Sequence, residues 1–208
     1  PVVTPRPPTP TEPEEPPAPA NSLDLAITTA LFGDANGAIE MLSELIAESP
    51  ENTDLWQTIS QIAISSGHAG DLLARLDAVT AIGGADDSHH RLRAELAIAS
   101  DSPRDAIDSV ARLSDSEEQI ALQTIISSAL GEAIIDPESI SEDNAAQGLM
   151  VAFSTTSRSQ KRRTLQEMTP SHWRAQMLQA DMLNDLGDKD EARAIYSSLL
   201  SLGVGHPA

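Results

Sequence analysis

The sequence predicts an all-α fold in which antiparallel helix hairpins stack into a solenoid, and three observations support this prediction. Apolar side chains recur at helical spacing, as in the stripe of Leu178, Met182 and Leu186 near the C-terminus. Turn-forming positions recur at an interval of 34 residues, as between Gly33 and Gly67. Aromatic residues make up only 2% of the chain, which favours closely packed helices over a β-sandwich. We therefore expect about ten or eleven helices in five or six hairpins.

Residues 1–21 are interpreted as a disordered linker rich in proline and glutamate. Nine of the first twenty residues are proline, and proline interrupts both helix and sheet. As polyproline II, at about 3.1 Å per residue, the segment would span roughly 60 Å. A passive tether is the preferred interpretation, and a ligand for a proline-recognising domain is the alternative. The chain starts at Pro1, which leaves room for an upstream membrane anchor.

Residues 22–113 carry the most regular pattern of a repeat domain that we expect to span residues 22–208. Glycine is expected where a helix ends in a left-handed residue, and Asp101 can replace it at the third turn. Small residues are expected where two helices cross most closely. Four stretches supply parts of one two-helix pattern of turn, small and large apolar residues: Gly33, Ala38, Leu42, Leu45 and Pro50; Trp56, Ile59, Ala63 and Gly67; Asp101, Ala106, Val110 and Leu113; and Gly187, Ala192, Tyr196 and Leu199.

Residues 114–169 depart from the 34-residue spacing, and residues 170–203 return to a regular hairpin. One long helix and two short ones are predicted in the divergent part, with a break at Asp136-Pro137. Ser141 is predicted to cap the first of the short helices, and Ser171 the helix that opens the last hairpin. A further turn is predicted at residues 83–84, which are both glycine.

When the chain is aligned by this 34-residue spacing, the four stretches given above resemble the tetratricopeptide repeat family. The resemblance covers residues 22–113 and 171–202. It implies a right-handed superhelix whose concave face is lined by the first helix of each hairpin and holds a peptide or a partner helix. Family members that bind chaperone tails hold a terminal carboxylate with paired Lys and Asn. The first two repeats here have no such pair, so we do not expect that mode of binding.

The resemblance also indicates which residues line the concave groove, and they form a mixed polar and apolar set suited to a protein partner. The predicted positions are Gln57, Gln61, Ile64, Arg91, Glu95, Ile98, Arg174, Met177, Asp181 and Asn184. In the first helix, Leu23, Ile27 and Leu31 are interpreted as core residues. The alternative is that these three make an apolar contact with a partner or with a preceding segment.

The composition excludes several classes of function. The formal net charge is −19, which argues against nucleic acid or an anionic membrane as a partner. The chain has no cysteine, so disulfides and thiolate metal sites are excluded. No apolar run approaches the roughly 18 residues of a membrane helix. We expect no direct membrane insertion by this segment.

The charge is distributed unevenly along the chain. Residues 22–157 carry five basic and 23 acidic side chains, whereas residues 158–208 carry seven basic and six acidic ones. The basic patch consists of Arg158, Lys161, Arg162 and Arg163. Our preferred interpretation is that this patch pairs with acidic neighbours inside the stack. The alternative is docking of an acidic partner, or head-to-tail association of the protein with itself.

No pattern of catalytic, cofactor-binding or metal-binding residues is predicted. His89 and His90 point about 100° apart on a helix and do not share a metal easily, so we interpret them as exposed surface histidines. Three acidic pairs are interpreted as helix-start residues favoured by the helix dipole: Asp86-Asp87, Glu117-Glu118 and Glu142-Asp143. Paired carboxylates for catalysis would need burial in contrasting environments, which the sequence does not indicate.

The preferred function is a non-enzymatic scaffold or adaptor that holds a protein partner, as part of a bacterial envelope machine such as a motor, pilus or secretion assembly. The expected location is periplasmic or envelope-associated, with the cytoplasm as the alternative. A second hypothesis is an accessory domain of a larger enzyme, which a buried ionisable cluster would favour. A third is a self-assembling structural protein that stacks through its acidic and basic ends.

Overall fold

The structure, a computed structural model, describes residues 22–81 and 85–202. The predicted linker 1–21, the turn predicted at residues 83–84, and Gly203 lie outside the described residues. The described residues form α-helices, two short 3₁₀ turns and no strand, which confirms the all-α prediction. The helices are α1 (Ser22–Leu31), α2 (Ala35–Glu48), α3 (Thr53–Ser66), α4 (Ala69–Ala81), α5 (Asp87–Ala99), α6 (Ile107–Val110), α7 (Ser116–Leu130), α8 (Gln147–Ser154), α9 (Arg158–Glu167), α10 (Trp173–Asp185) and α11 (Lys189–Ser201).

Left-handed residues end several of these helices where the repeat pattern predicts them. Gly33, Gly67 and Gly187 have φ values of +92°, +81° and +87°. Asp101 takes the equivalent conformation at the third turn, with φ of +59°. Asparagine and aspartate tolerate this region better than other residues that carry a side chain. The turns were therefore predicted correctly from local sequence.

Helices adjacent in sequence pack on each other, and the core runs along the chain. α1 packs on α2, α2 on α3, α4 on α5, and α10 on α11. The alanines Ala38, Ala106 and Ala192 are all buried, as expected where helices approach closely. One cluster of buried apolar residues joins α1 to α5, a second lies between α5 and α7, and a third joins α7 to α11.

The middle of the chain departs from the repeat pattern in two places. The helix expected after Asp101 is reduced to a 3₁₀ turn, Pro103–Ala106, followed by the single turn of α6. After α7 comes a stretch with only one 3₁₀ turn, Pro137–Ser139, before α8 begins. α8 and α9 then pack on each other, and α10 packs directly on α7.

Two predicted helix caps are wrong. α8 begins at Gln147, so Ser141 lies well before it. α10 begins at Trp173, and its N-cap is His172, whose Nδ1 accepts a hydrogen bond from the Arg174 amide at 3.2 Å. The amide and hydroxyl of Ser171 instead bond to the Glu117 carboxylate. Ser171 is thus held by α7 and does not cap α10.

Candidate functional site

A groove lies between α3, α5 and α10, with a volume of about 670 Å³. Such a volume is within the range of ligand-binding clefts in proteins. On each helix the lining recurs every three or four residues, as in Gln57, Gln61 and Ile64, so each helix contributes one side to the groove. The lining is Thr53, Asp54, Gln57, Ser60, Gln61 and Ile64 from α3; Ser88, Arg91, Leu92 and Glu95 from α5; and Trp173, Arg174 and Met177 from α10.

Most of the groove residues predicted from the sequence lie in this lining, and three do not. Ile98 packs into the apolar cluster around α6 and α7. Asp181 accepts a hydrogen bond from the Tyr196 hydroxyl at 2.6 Å. Asn184 is exposed further along α10. Only the first turns of α10 reach the groove, so the predicted stripe along that helix is too long.

Several lining residues were missed, although most follow from the same stripes. Ser88 is four residues before Leu92, and Ser60 is four residues before Ile64, so each lies one helical turn from another lining residue. Trp173 is the exception. It is the first residue of α10, and it was missed because the cap of this helix was predicted at Ser171.

A buried ionic cluster forms one wall of the groove. We call it the Glu118 cluster and define it as Arg91, Glu95, Glu118, His172 and Arg174. Glu118 is fully buried, and its two oxygens accept hydrogen bonds from Arg91 Nε at 2.6 Å and Nη2 at 2.8 Å. This bidentate geometry is the strongest arrangement for such a pair.

The same cluster fixes the position of α10. Arg174 Nε lies 3.3 Å from Glu118 Oε1, and Arg174 Nη2 also pairs with Glu95. The guanidinium of Arg174 lies over the Trp173 ring, 4.6 Å from its centroid. His172 Nε2 is 3.8 Å from Glu118 Oε2. Arg91 of α5 and Arg174 of α10 are therefore joined through the carboxylate of Glu118 on α7, and the Arg174–Glu95 pair joins positions 79 residues apart.

Glu118 is ionised in this environment. Burial raises its pKa, but the hydrogen bonds from Arg91 and the charges of Arg91, Arg174 and His172 outweigh burial and hold the pKa below the ordinary value of 4.5. Glu118 does stand in the first turn of α7, as predicted, and its amide bonds to the capping Asp115; its buried ion pairs were not predicted.

Comparison with known proteins finds a family model that matches part of the chain. Residues 31–96 match the family model of the tetratricopeptide repeat. The matched segment runs from the end of α1 through α5 and supplies two of the three helices that line the groove. The resemblance drawn from the sequence is confirmed over residues 31–96, and repeats of this family indicate a scaffold for protein–protein interaction.

The solved structures that match the chain are distant in sequence. They include a tetratricopeptide repeat protein from Parabacteroides merdae ATCC 43184, with a TM-score of 0.47 and 14% identity, covering 86% of this chain and 78% of that chain. MamA has a TM-score of 0.45 and 15% identity, covering 86% of this chain and 94% of that chain. Residues 41 to the end of MamA from Desulfovibrio magneticus RS-1 have a TM-score of 0.36 and 10% identity, covering 92% of this chain and 100% of that chain. No curated protein sequence matches the chain.

The basic patch lies beside the last repeat hairpin, and most of its charge is used within the chain. Arg162 Nε pairs with Asp188 Oδ2 at 2.5 Å, and Arg158 donates to the carbonyl of Leu186 at 2.6 Å. Arg163 pairs with Glu167, one turn away on α9. Arg158 and Arg162 thus bind the C-terminal end of α10, where the helix dipole favours positive charge. Within the described residues, Arg162 alone of the four pairs with an acidic residue of the last hairpin, so the internal pairing preferred for the whole patch stays a prediction.

We interpreted His89 and His90 as exposed surface histidines, and this interpretation is wrong. His89 is buried, and its Nδ1 lies 2.8 Å from the Asp86 carboxylate at the start of α5. His90 is partly buried, and burial together with the charge of Arg112 lowers its pKa. Within residues 22–81 and 85–202, no group of three or more His, Asp or Glu side chains has the geometry of a metal site.

No helix in the described part of the chain combines the length and apolar character needed to cross a bilayer.

Proposed function

We propose that this chain is a non-enzymatic scaffold that holds a segment of a partner protein in the groove between α3, α5 and α10. The observation that carries the proposal is the set of free hydrogen-bonding groups on α3. The side-chain amides of Gln57 and Gln61, one turn apart, make no hydrogen bond to the described residues of the chain. Side-chain amides offer both donors and acceptors, which match a peptide backbone.

Other features of the groove support binding of a peptide segment. The Ser60 hydroxyl is buried in the same wall and has no partner among the described residues. Ile64 is partly exposed at the far end of the stripe, and Met177 lines the opposite side. A methionine adapts its shape to varied apolar side chains. The groove therefore offers polar contacts to a backbone and apolar contacts to side chains.

The Glu118 cluster acts in this proposal as a rigid wall and not as a catalytic group. A buried ionisable cluster is the feature expected of the alternative, an accessory domain of a larger enzyme. In this cluster, however, each carboxylate is paired with a guanidinium, and the lowered pKa of Glu118 keeps it ionised near neutral pH. A general acid or base needs a pKa near the working pH. The cluster therefore favours the scaffold.

Our proposal places the scaffold in a bacterial envelope machine, in the periplasm or attached to the envelope. The proline-rich sequence of residues 1–21 supports it, because such a segment suits a spacer between a membrane anchor and a folded domain. Separation of the source cells into envelope and cytoplasmic fractions tests this part. Recovery of the protein only from the cytoplasm would contradict it and leave the groove proposal standing.

Filling the groove is expected to abolish capture of the partner. Gln61→Trp places an indole among the lining residues, whereas Ser65→Trp adds the same bulk at an exposed position of the same helix outside the groove. We expect affinity capture from the source cells to recover a partner with the wild type and with Ser65→Trp, and not with Gln61→Trp. Circular dichroism checks that both variants keep the helical fold. Equal recovery with all three proteins would contradict the groove as the binding site.

A further inference from the structure

The first helix carries an apolar surface that the rest of the described chain does not cover. α1 packs on α2 through buried Ala26, with Leu23 against the same core. On its other side, Leu31 and Phe32 are 82% and 87% exposed, and Leu25 and Ile27 are also exposed. We call these four side chains the α1 face. We interpreted Leu23, Ile27 and Leu31 as core residues. This interpretation holds for Leu23, whereas it is wrong for Ile27 and Leu31, which are exposed.

The last helix, α11, differs from α1 in the polarity of its exposed side. The outer side of α11 is polar, with Asp190, Arg193, Ser197 and Ser201 all exposed. Only Leu200 and Leu202 are large exposed apolar residues there, and the helical spacing places them at opposite edges of that polar side. A polar outer helix is how a repeat stack is normally closed. Among the described residues, the stack thus ends in a polar surface at α11 and in an apolar one at α1.

Charge indicates what kind of surface can cover the α1 face. Residues 22–74 contain no Lys or Arg and eight acidic residues: Asp24, Asp34, Glu40, Glu44, Glu48, Glu51, Asp54 and Asp71. Asp24 lies on the outer side of α1, between the exposed apolar side chains. A second copy docking through the same face would bring the Asp24 side chains of both copies together without a basic side chain from residues 22–74 to pair with them, which like charges oppose.

The preceding segment of the chain is also a poor match. Residues 1–21 carry one basic and three acidic residues, and the nine prolines disfavour a helix that could continue the stack. The C-terminal end of a second copy exposes Leu200 and Leu202, but the helical spacing places them at opposite edges of α11, so they form no single apolar stripe to match Leu31 and Phe32. The surface that fits combines apolar and basic side chains.

We propose that the α1 face binds a basic amphipathic helix from another protein, which extends the stack at its N-terminal end. Leu31 and Phe32 provide the most exposed apolar contacts, and Asp24 pairs with a lysine or arginine beside the apolar stripe of the incoming helix. In this kind of packing, the incoming helix contributes apolar side chains spaced three and four residues apart. This site is separate from the groove, because none of its residues lines that groove.

The test uses the full chain and a synthetic probe, a helical peptide of about 18 residues with leucine on one face and lysine at both edges of that face. Binding is measured by fluorescence anisotropy at physiological salt. Leu31→Ser with Phe32→Ser is compared with Leu200→Ser with Leu202→Ser, which removes two other exposed apolar side chains. We expect the first double variant to weaken binding at least about tenfold, and the second to leave it within about twofold.

Two further measurements make the outcome decisive. A peptide with the lysines replaced by glutamate is expected not to bind, because the acidic surroundings of α1 repel it. Gln61→Trp is expected to bind the lysine peptide normally, so a failure of the groove proposal would not affect this one. Equal weakening by both double variants, or none by the α1 variant, would overturn the proposal. A wild-type dimer that uses the α1 face would also overturn the proposal. Sedimentation would show it as a dimer that Leu31→Ser with Phe32→Ser converts to a monomer.

Discussion

Trp56→Ala is expected to lower the free energy of unfolding by about 3–5 kcal/mol, the usual cost of removing a large buried aromatic side chain. Trp56 is only 2% exposed and belongs to the apolar cluster that joins α1 to α5. Ile59 and Leu72 of that cluster lie beside it, so truncation would leave a cavity where α2, α3 and α4 meet. In a repeat protein, stability depends on such contacts between neighbouring helices.

The indole also makes a hydrogen bond that can be tested separately. Its Nε1 donates to the carbonyl of Pro50 at 2.9 Å, which ties the start of α3 to the end of the preceding hairpin. Trp56→Phe keeps most of the apolar volume and loses this bond, so a cost of about 1 kcal/mol is expected from that bond.

The measurement is urea unfolding followed by circular dichroism, with Trp173→Ala as the matched control. Trp173 is only partly buried, at the mouth of the groove, and its loss should cost clearly less than that of Trp56. If Trp56→Ala unfolds within about 1 kcal/mol of the wild type, Trp56 is not the core residue described here.

Glu118→Ala is also expected to lower the free energy of unfolding by about 3–5 kcal/mol. The alanine leaves Arg91 without its bidentate partner, and Arg174 keeps only Glu95. A buried charge without a partner is costly because it has lost its hydration. As a control, Glu132→Ala breaks an exposed pair with Arg104 and should cost no more than about 1 kcal/mol.

The same cluster predicts how stability depends on pH. The pKa of Glu118 is lower in the folded state than its ordinary value of 4.5. Its ionised form therefore adds stability that is fully present above that value and is lost as the pH falls through the folded pKa. The wild type should lose stability more steeply on acidification below pH 4.5 than Glu118→Gln does. Parallel curves for the two proteins would contradict the ionised cluster.

The local parts of the fold could be predicted from the sequence because their causes are local. A left-handed turn at Gly67 or Asp101 and a small residue such as Ala38 depend on a few neighbouring residues. The groove positions on α3 and α5 followed from the same spacing, and they line one surface as predicted. Their role in binding a partner stays a prediction.

The Glu118 cluster could not be predicted, because it depends on contacts between distant segments. Arg174 meets Glu95 only when α10 packs against α7 and its start reaches α5. One signal was available: Glu118 stands one turn before Ala121 and Leu122, on the buried side of α7. A carboxylate in an apolar stripe indicates a buried partner. The cap predicted at Ser171 failed for the same reason, since Glu117 holds that residue from another helix.

Site-specific photo-crosslinking tests the central claim most directly, namely that the groove holds a partner protein. A photoreactive amino acid is placed at Gln57, inside the groove, or at Ser65, an exposed position of the same helix outside it. The proteins are then produced in the source cells and illuminated. We predict a crosslink from position 57 to one distinct partner protein and none to that protein from position 65. Crosslinks to the same protein from both positions, or none from position 57, would contradict the account.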